Sequence, residues 1–232
     1  TYPTAVKVTG SETNEGDADL TYKLYRDGVE VSNPEEILLG AGSYEYVFNC
    51  TEGQNYTSAS VSNTLTVNKG TPSLSLSCSD VTYPDDASCS ASESNSGDSD
   101  LTYNFYINDV LKDSGSSISY SEDLPAGSYT ATYNTSGGQN WTSAQTSVSF
   151  TINKGWLSGS LSGSDAIYPC DVTVFFSEDN VGDADVVYKL YRNDTWVADN
   201  PTSVTEDLGA GSYTYKINST GGENWTANSN ID

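Results

Sequence analysis

The chain has 232 residues, with 32 acidic against 9 basic side chains, a net charge of -23, no histidine and 35% apolar content. That balance excludes nucleic acid, whose phosphate contacts need Lys and Arg, and polybasic docking on anionic lipid. No apolar run approaches the ~18 residues of a membrane-spanning helix.

The chain opens on Tyr2-Pro3, followed by an alternating stretch with Val6 and Val8 on one parity. Next comes an acidic phrase, Ser-Glu-x-Asn-x-Gly-Asp-x-Asp, from Ser11 to Asp19. A second alternating stretch carries Leu20, Tyr22 and Leu24. Leu39-Gly-Ala-Gly-Ser-Tyr44 then leads into Tyr44, Tyr46 and Phe48. Gly53-Gln-Asn-Tyr-Thr57 precedes a last stretch with Leu65 and Val67, and Asn68-Lys69-Gly70 closes the series.

The whole series then returns twice. Tyr83-Pro84 and Tyr168-Pro169 restart it; Leu124–Tyr129 and Leu208–Tyr213 repeat the Ala-Gly-Ser-Tyr phrase at steps of 85 and 84 residues. The inward parity becomes Ala87, Cys89, Ala91; Leu101, Tyr103, Phe105; Tyr129, Ala131, Tyr133 in the second copy, with Phe150 and Ile152 at its end. In the third it is Val172, Val174, Phe176; Val186, Tyr188, Leu190; Tyr213, Tyr215, Ile217. Self-similarity at a domain-sized period predicts an array, divided at Asn68-Lys69-Gly70 and Asn153-Lys154-Gly155 into modules 1–70, 71–155 and 156–232. The second copy has a leading strand (Leu74, Leu76, Cys78) for which the first has no counterpart, and the third has none for Ser149–Ile152. The expectation is a window on a continuing array, or subunits that lend each other a strand.

Period-two alternation bounded by Gly, Asn, Asp and Ser predicts half-buried strands and no helix. About seven short strands per module point to an antiparallel β-sandwich. The Leu-x-Ala-Gly-x-Tyr phrase resembles the tyrosine corner of immunoglobulin-like domains. The chain as a whole resembles tandem prokaryotic (bacterial or archaeal) immunoglobulin-like repeats of cell-surface or filament proteins. The resemblance implies an all-β linear array of three immunoglobulin-like sandwiches. The antibody pattern Cys…Trp…Cys is absent, which speaks against an antibody-like role.

Cys78 and Cys89 share the inward parity of two adjacent strands, with small neighbours Ala87 and Ala91, so a bridge within the module is expected. Cys50 and Cys170 fall at opposite ends of such sandwiches, where Cys170 of one copy could meet Cys50 of the next. Four cysteines in acidic β modules indicate an oxidising, extracellular setting.

Asn-x-Ser/Thr occurs at Asn49, Asn55, Asn134, Asn140, Asn193, Asn218 and Asn224, six of them as pairs at matched positions. These are expected N-glycan acceptors, with a turn role for the same asparagines as the plainer reading. The aromatics after them, Tyr56, Trp141 and Trp225, are expected to pack beneath a sugar or on the joint, with packing preferred.

The acidic phrase offers Glu12, Asn14, Asp17, Asp19; Glu93, Asn95, Asp98, Asp100; and Glu178, Asn180, Asp183, Asp185. Ca²⁺ takes six to eight such oxygens, and an ion there would stiffen the joint with the preceding module. The favoured alternative is a turn in which Asp and Asn cap backbone amides. Without histidine, a phosphate loop or a module marked apart, no active site is read and no enzyme is expected. The sequence therefore points to a structural segment of an extracellular, N-glycosylated fibre or stalk, bound end to end to copies of itself, with an adhesin or glycan-binding surface protein as the alternative.

Overall fold

The computed structural model describes every residue except Asp17, Asp98, Asp183 and Asp232. The described residues form twenty β-strands and no helix. Alternating Val, Tyr and Phe on stretches bounded by Gly and Asn favours the pleated, half-buried backbone seen throughout.

The second module shows the complete plan. Ahead of it lie β1 (Val6–Val8), β2 (Tyr22–Arg26), β3 (Val29–Val31), β4 (Glu35–Ile37), β5 (Gly42–Cys50) and β6 (Ala59–Val67) of the first module. The second comprises β7 (Leu74–Ser79), β8 (Val81–Thr82), β9 (Ala87–Glu93), β10 (Tyr103–Ile107), β11 (Val110–Ser114), β12 (Ser117–Glu122), β13 (Gly127–Thr135) and β14 (Ala144–Asn153). One sheet is β12-β9-β7 and the other β11-β10-β13-β14-β8. All pairings are antiparallel except β14 with β8. The leading strand thus crosses from one sheet to the other, a frequent device of immunoglobulin-like sandwiches.

The first module shows the same order with less of it: sheets β1-β4 and β3-β2-β5-β6. The third has β15 (Gly159–Gly163), β16 (Val172–Glu178), β17 (Tyr188–Arg192), β18 (Thr195–Asp199), β19 (Ser203–Glu206) and β20 (Tyr215–Ser219), in sheets β15-β16-β19 and β18-β17-β20.

Two local devices recur in every module. The hairpin turns Asp27-Gly28, Asn108-Asp109 and Asn193-Asp194 take positive φ at both positions, the turn geometry that matches strand twist. In each, the first side chain accepts the amide of a neighbouring strand: Glu45 N on Asp27, Thr130 N on Asn108 and Thr214 N on Asn193, at 2.8–2.9 Å. The tyrosine corner is likewise threefold. Tyr44 donates to Gly40 O, Tyr129 to Pro125 O and Tyr213 to Gly209 O, at 2.8–2.9 Å.

Two stretches depart from the alternation pattern. Leu20, Leu101 and Val186 precede their strands, which begin at Tyr22, Tyr103 and Tyr188. Here the carboxylates of Asp19, Asp100 and Asp185 accept the amides of Gln54, Gln139 and Glu223. That ties the stretch to a loop instead of a partner strand. In the third module, strand structure starts at Tyr215, two residues after Tyr213. In the other two modules Tyr44 pairs with Leu65 and Tyr129 with Phe150, and β20 pairs with β17 on one side only.

Candidate functional site

The feature that recurs with most chemical detail is the contact between successive modules. On one side stand the Tyr-Pro turn, the Ala-Gly corner and the Asn-Lys-Gly linker. On the other stand the acidic phrase and the Gly-x-Asn-Trp-Thr loop of the next module.

At the first joint Gly70 donates to Asn140 O at 2.9 Å, and Thr142 N donates to Gly70 O at 2.8 Å. At the second, Gly155 donates to Asn224 O at 2.9 Å, and Thr226 N donates to Gly155 O at 2.9 Å. Ala41 N donates to Asn140 Oδ1 and Ala126 N to Asn224 Oδ1, both at 2.8 Å. Lys69 Nζ reaches Gly138 O at 2.6 Å, and Lys154 Nζ reaches Gly222 O at 2.7 Å. Tyr2 meets Trp141 edge to face at 5.4 Å, and Tyr83 meets Trp225 with the same separation and angle. Such pairs add roughly 0.5–1.5 kcal/mol beyond area burial.

Glycine makes the close approach possible. A Cβ on Gly70 or Gly155 would fall against the carbonyl of Tyr2 or Tyr83 and the ring of Trp141 or Trp225. A Cβ on Gly97 or Gly182 would collide with the hydroxyl of Tyr2 or Tyr83. The joints are apolar at their centres: Tyr2, Leu39, Val67 and Trp141 form one buried cluster, while Tyr83, Leu157 and Trp225 belong to the core cluster of the second and third modules. One difference separates them. Trp225 Nε1 donates to Val181 O at 3.1 Å; at the first joint Ser96 O accepts the Tyr2 hydroxyl at 3.3 Å, and Trp141 Nε1 is buried with no hydrogen-bond partner among the described residues.

The sequence-predicted residues are placed as follows. Asn49, Asn134 and Asn218 lie on β5, β13 and β20 and are half-buried. Asn140 and Asn224 are joint residues through their side-chain oxygens, and Trp141 and Trp225 pack across the joint. Asn55 is exposed on the outer loop of the first module, and Asn193 is an exposed hairpin residue. Cys78 and Cys89 form a disulfide between β7 and β9, where they are directly opposed. Cys50, partly buried at the end of β5, and Cys170, exposed after the third Tyr-Pro turn, are free thiols.

The acidic phrase is knit to its own module. Asn95 Oδ1 accepts Ser73 N at 2.7 Å, and its amide donates to Glu93 at 3.0 Å and the Tyr103 hydroxyl at 3.1 Å. Asn180 repeats this with Ser158, Glu178 and Tyr188. Asn14 N donates to Glu12 at 2.6 Å and its amide to the Tyr22 hydroxyl at 2.8 Å. Asp17, Asp98 and Asp183 lie outside the described residues. Among the described residues no group of three acidic, His or Cys side chains could hold a metal ion.

Each module also pairs a base, a carboxylate and a tyrosine. Arg26 and Tyr46 both bond Glu35 at 2.5 Å. Lys112 bonds Glu122 at 2.6 Å, with Tyr120 also on Glu122. Arg192 and Tyr215 bond Glu206. The bonds from Lys112 and Tyr120 hold Glu122 below the usual carboxylate range. Burial, then the bond to Glu206, pushes Tyr215 up to about 12. These phenols stay protonated far above neutrality, which suits cross-strand ties and disfavours acid–base work near pH 7.

No protein-family model matches the sequence, and no curated protein matches it. Among solved structures the chain is similar to the central fibronectin-III array of RIM-binding protein, at 16% identity over 90% of this chain and 85% of that one, with a TM-score of 0.25. It is also similar to SGBP-B of the Bacteroides ovatus mixed-linkage glucan utilization locus, solved with a mixed-linkage heptasaccharide. There the identity is 16% over 98% of this chain and 62% of that one, with a TM-score of 0.26. The fold class is all-β, built of immunoglobulin-like sandwich modules in tandem. No helix among the described residues is long and apolar enough to cross a membrane.

Proposed function

We propose that the chain is a load-bearing segment of an extracellular, N-glycosylated fibre or surface stalk, built of tandem immunoglobulin-like modules of the prokaryotic cell-surface kind. The observation that carries this reading is the repetition of the joint. Two junctions separated by a full module use the same hydrogen bonds, the same Tyr–Trp contact and the same glycine clearances. A protein selected for one ligand site would need a single distinctive module; repeated joints serve length and fixed geometry. The disulfide Cys78–Cys89 fits an oxidising compartment. The charge of -23 keeps neighbouring fibres apart. Glycans on Asn49, Asn134 and Asn218 would coat the same sheet of each module. The modules are proposed to be 1–70, 71–155 and 156–232.

A second reading, an adhesin or glycan-binding surface protein, is favoured by exposed aromatics confined to the third module and its approach. Trp156 is 73% and Trp196 57% exposed, and Trp156 borders an open cleft with Asp85 and Asn180.

Electron microscopy of the native material, with intact-mass analysis before and after deglycosylation, tests the first reading. Long beaded filaments with substantial glycan mass are expected. Short discrete particles with bare asparagines would overturn it and favour the second.

A further inference from the structure

The outer face of one sheet carries the same pair of residues in every module. Asn49, Asn134 and Asn218 stand directly opposite Lys23, Asn104 and Lys189; two residues further along those strands, on the same face, come Tyr25, Tyr106 and Tyr191. A diagonal pair of this kind lies within reach of an aromatic side chain. The residues around the pair change from module to module: Val47, Thr132 and Lys216 stand opposite the three tyrosines. The asparagine and the tyrosine do not change.

Neither member is held by the fold. Among the described residues no hydrogen bond engages the side chain of Asn49, Asn134 or Asn218, whereas Asn140, Asn193 and Asn224 each accept a backbone amide. Tyr25, Tyr106 and Tyr191 have neither a hydrogen bond nor a ring partner among the described residues, unlike the corner tyrosines Tyr44, Tyr129 and Tyr213. Leu111 and Trp196, paired with Tyr106 and Tyr191 across the hairpin, are 54% and 57% exposed. An apolar strip is thus left open beside the asparagine. Thr51, Ser136 and Thr220, which complete the three sequons, are exposed.

We propose that Tyr25, Tyr106 and Tyr191 are platforms for the first sugar of N-glycans on Asn49, Asn134 and Asn218, so that the modification stabilises the module that bears it. Attachment replaces one Nδ2 hydrogen by a bond to the anomeric carbon of a glycosyl phosphate donor, whose phosphate leaves with the proton. The C–H face of the sugar then covers the tyrosine ring and removes apolar surface from water. The inference rests on the N-glycosylated reading and adds to it which acceptors are coupled to the fold and through which side chain.

The test is a double-mutant cycle in the glycosylated chain, with glycopeptide masses at Asn134 and thermal unfolding as readouts. Asn134→Gln removes the glycan and should lower the melting temperature by about 4 °C, the shift expected for one aromatic contact in a domain of this length. In a Tyr106→Thr background, which keeps a strand-forming residue, the same change should have almost no effect. Tyr106→Phe keeps the ring and should restore the full drop. In protein made without glycosylation the coupling between the two positions should vanish, which a direct Asn–Tyr contact would not allow. A bare Asn134 in the native protein would overturn the glycosylated reading and the platform together. An occupied Asn134 whose loss costs the same with Tyr, Phe or Thr at position 106 would overturn the platform alone.

Discussion

In the second module β9 turns Ala87, Cys89 and Ala91 inward; in the third, β16 places Val172, Val174 and Phe176 at the matching positions. The opposing strands compensate. Phe105 and Tyr133, both fully buried, face the small wall, and Leu190 and Ile217 face the large one. One frame is therefore filled by two distributions of volume, as close packing demands. The disulfide belongs to the small-wall solution. Cys78 and Cys89 are directly opposed on the paired strands β7 and β9, at the positions that Gly163 and Val174 hold on β15 and β16. The third module reaches burial of Leu190 and Ile217 at 1% exposure without any bridge.

That contrast can be broken at its staple. Reducing Cys78–Cys89, or replacing both by alanine, should destabilise the second module by about 3 kcal/mol, since removing a native bridge from a small domain costs 2–5. The third module should be unaffected. Scanning calorimetry with and without reductant reads this as one transition moving down while another stays. Transitions that move together would mean that the modules unfold as one unit through their shared core.

The volume exchange is tested by making one module resemble the other. Ala91→Phe installs the residue found at Phe176 and should cost roughly 1–3 kcal/mol through overpacking. Combining it with Phe105→Leu, the residue found at Leu190, should recover part of the loss. A double variant no better than the sum of the single changes would show that the two positions do not trade volume.

Alkali sharpens the comparison in a different way. Burial pushes the Tyr133 phenol from 10.0 up to about 12, and its hydroxyl donates to Gly115 O at 2.8 Å. A folded pKa raised above the unfolded one gives stability that is complete below pH 10 and drains away between 10 and about 12. Tyr133→Phe should flatten that part of the second module's loss. The residue in the same place of the third module is Ile217, which does not titrate. Denaturation midpoints followed from pH 9 upwards would check it; an unchanged slope in the variant would assign the loss to other tyrosines.

Much of this architecture was legible along the chain because a strand pleat has a period of two. Tyr103, Phe105, Tyr133 and Leu190 were readable as core from parity alone, and the tyrosine corners from one repeated phrase. Strand starts were less legible. Leu20, Leu101 and Val186 keep the parity of the strand that follows, yet aspartate-to-amide bonds from another loop fix their backbone. The joint was harder still. Asn140 reads as a glycan acceptor, and its bond to Ala41 spans 99 residues, a distance at which local pattern carries no information. The usable signal was co-recurrence: Tyr-Pro, Ala-Gly and Asn-aromatic-Thr repeat with the same period because they meet.

The smallest expected effect bears on that residue. Asn140→Ala removes the acceptor of Ala41 N and should cost about 1 kcal/mol, taken from the first joint and not from either core. Melting should barely change, while residual dipolar couplings should show the first and second modules reorienting more freely. Asn224→Ala should do the same at the second joint only. Asn140→Asp separates the two roles of this position, because it retains an acceptor oxygen but offers no amide nitrogen to a sugar. If rigidity survives in Asn140→Asp and is lost in Asn140→Ala, the joint depends on the hydrogen bond. If both loosen alike in the glycosylated protein and neither does in the bare one, the glycan and not the bond fixes the angle between modules.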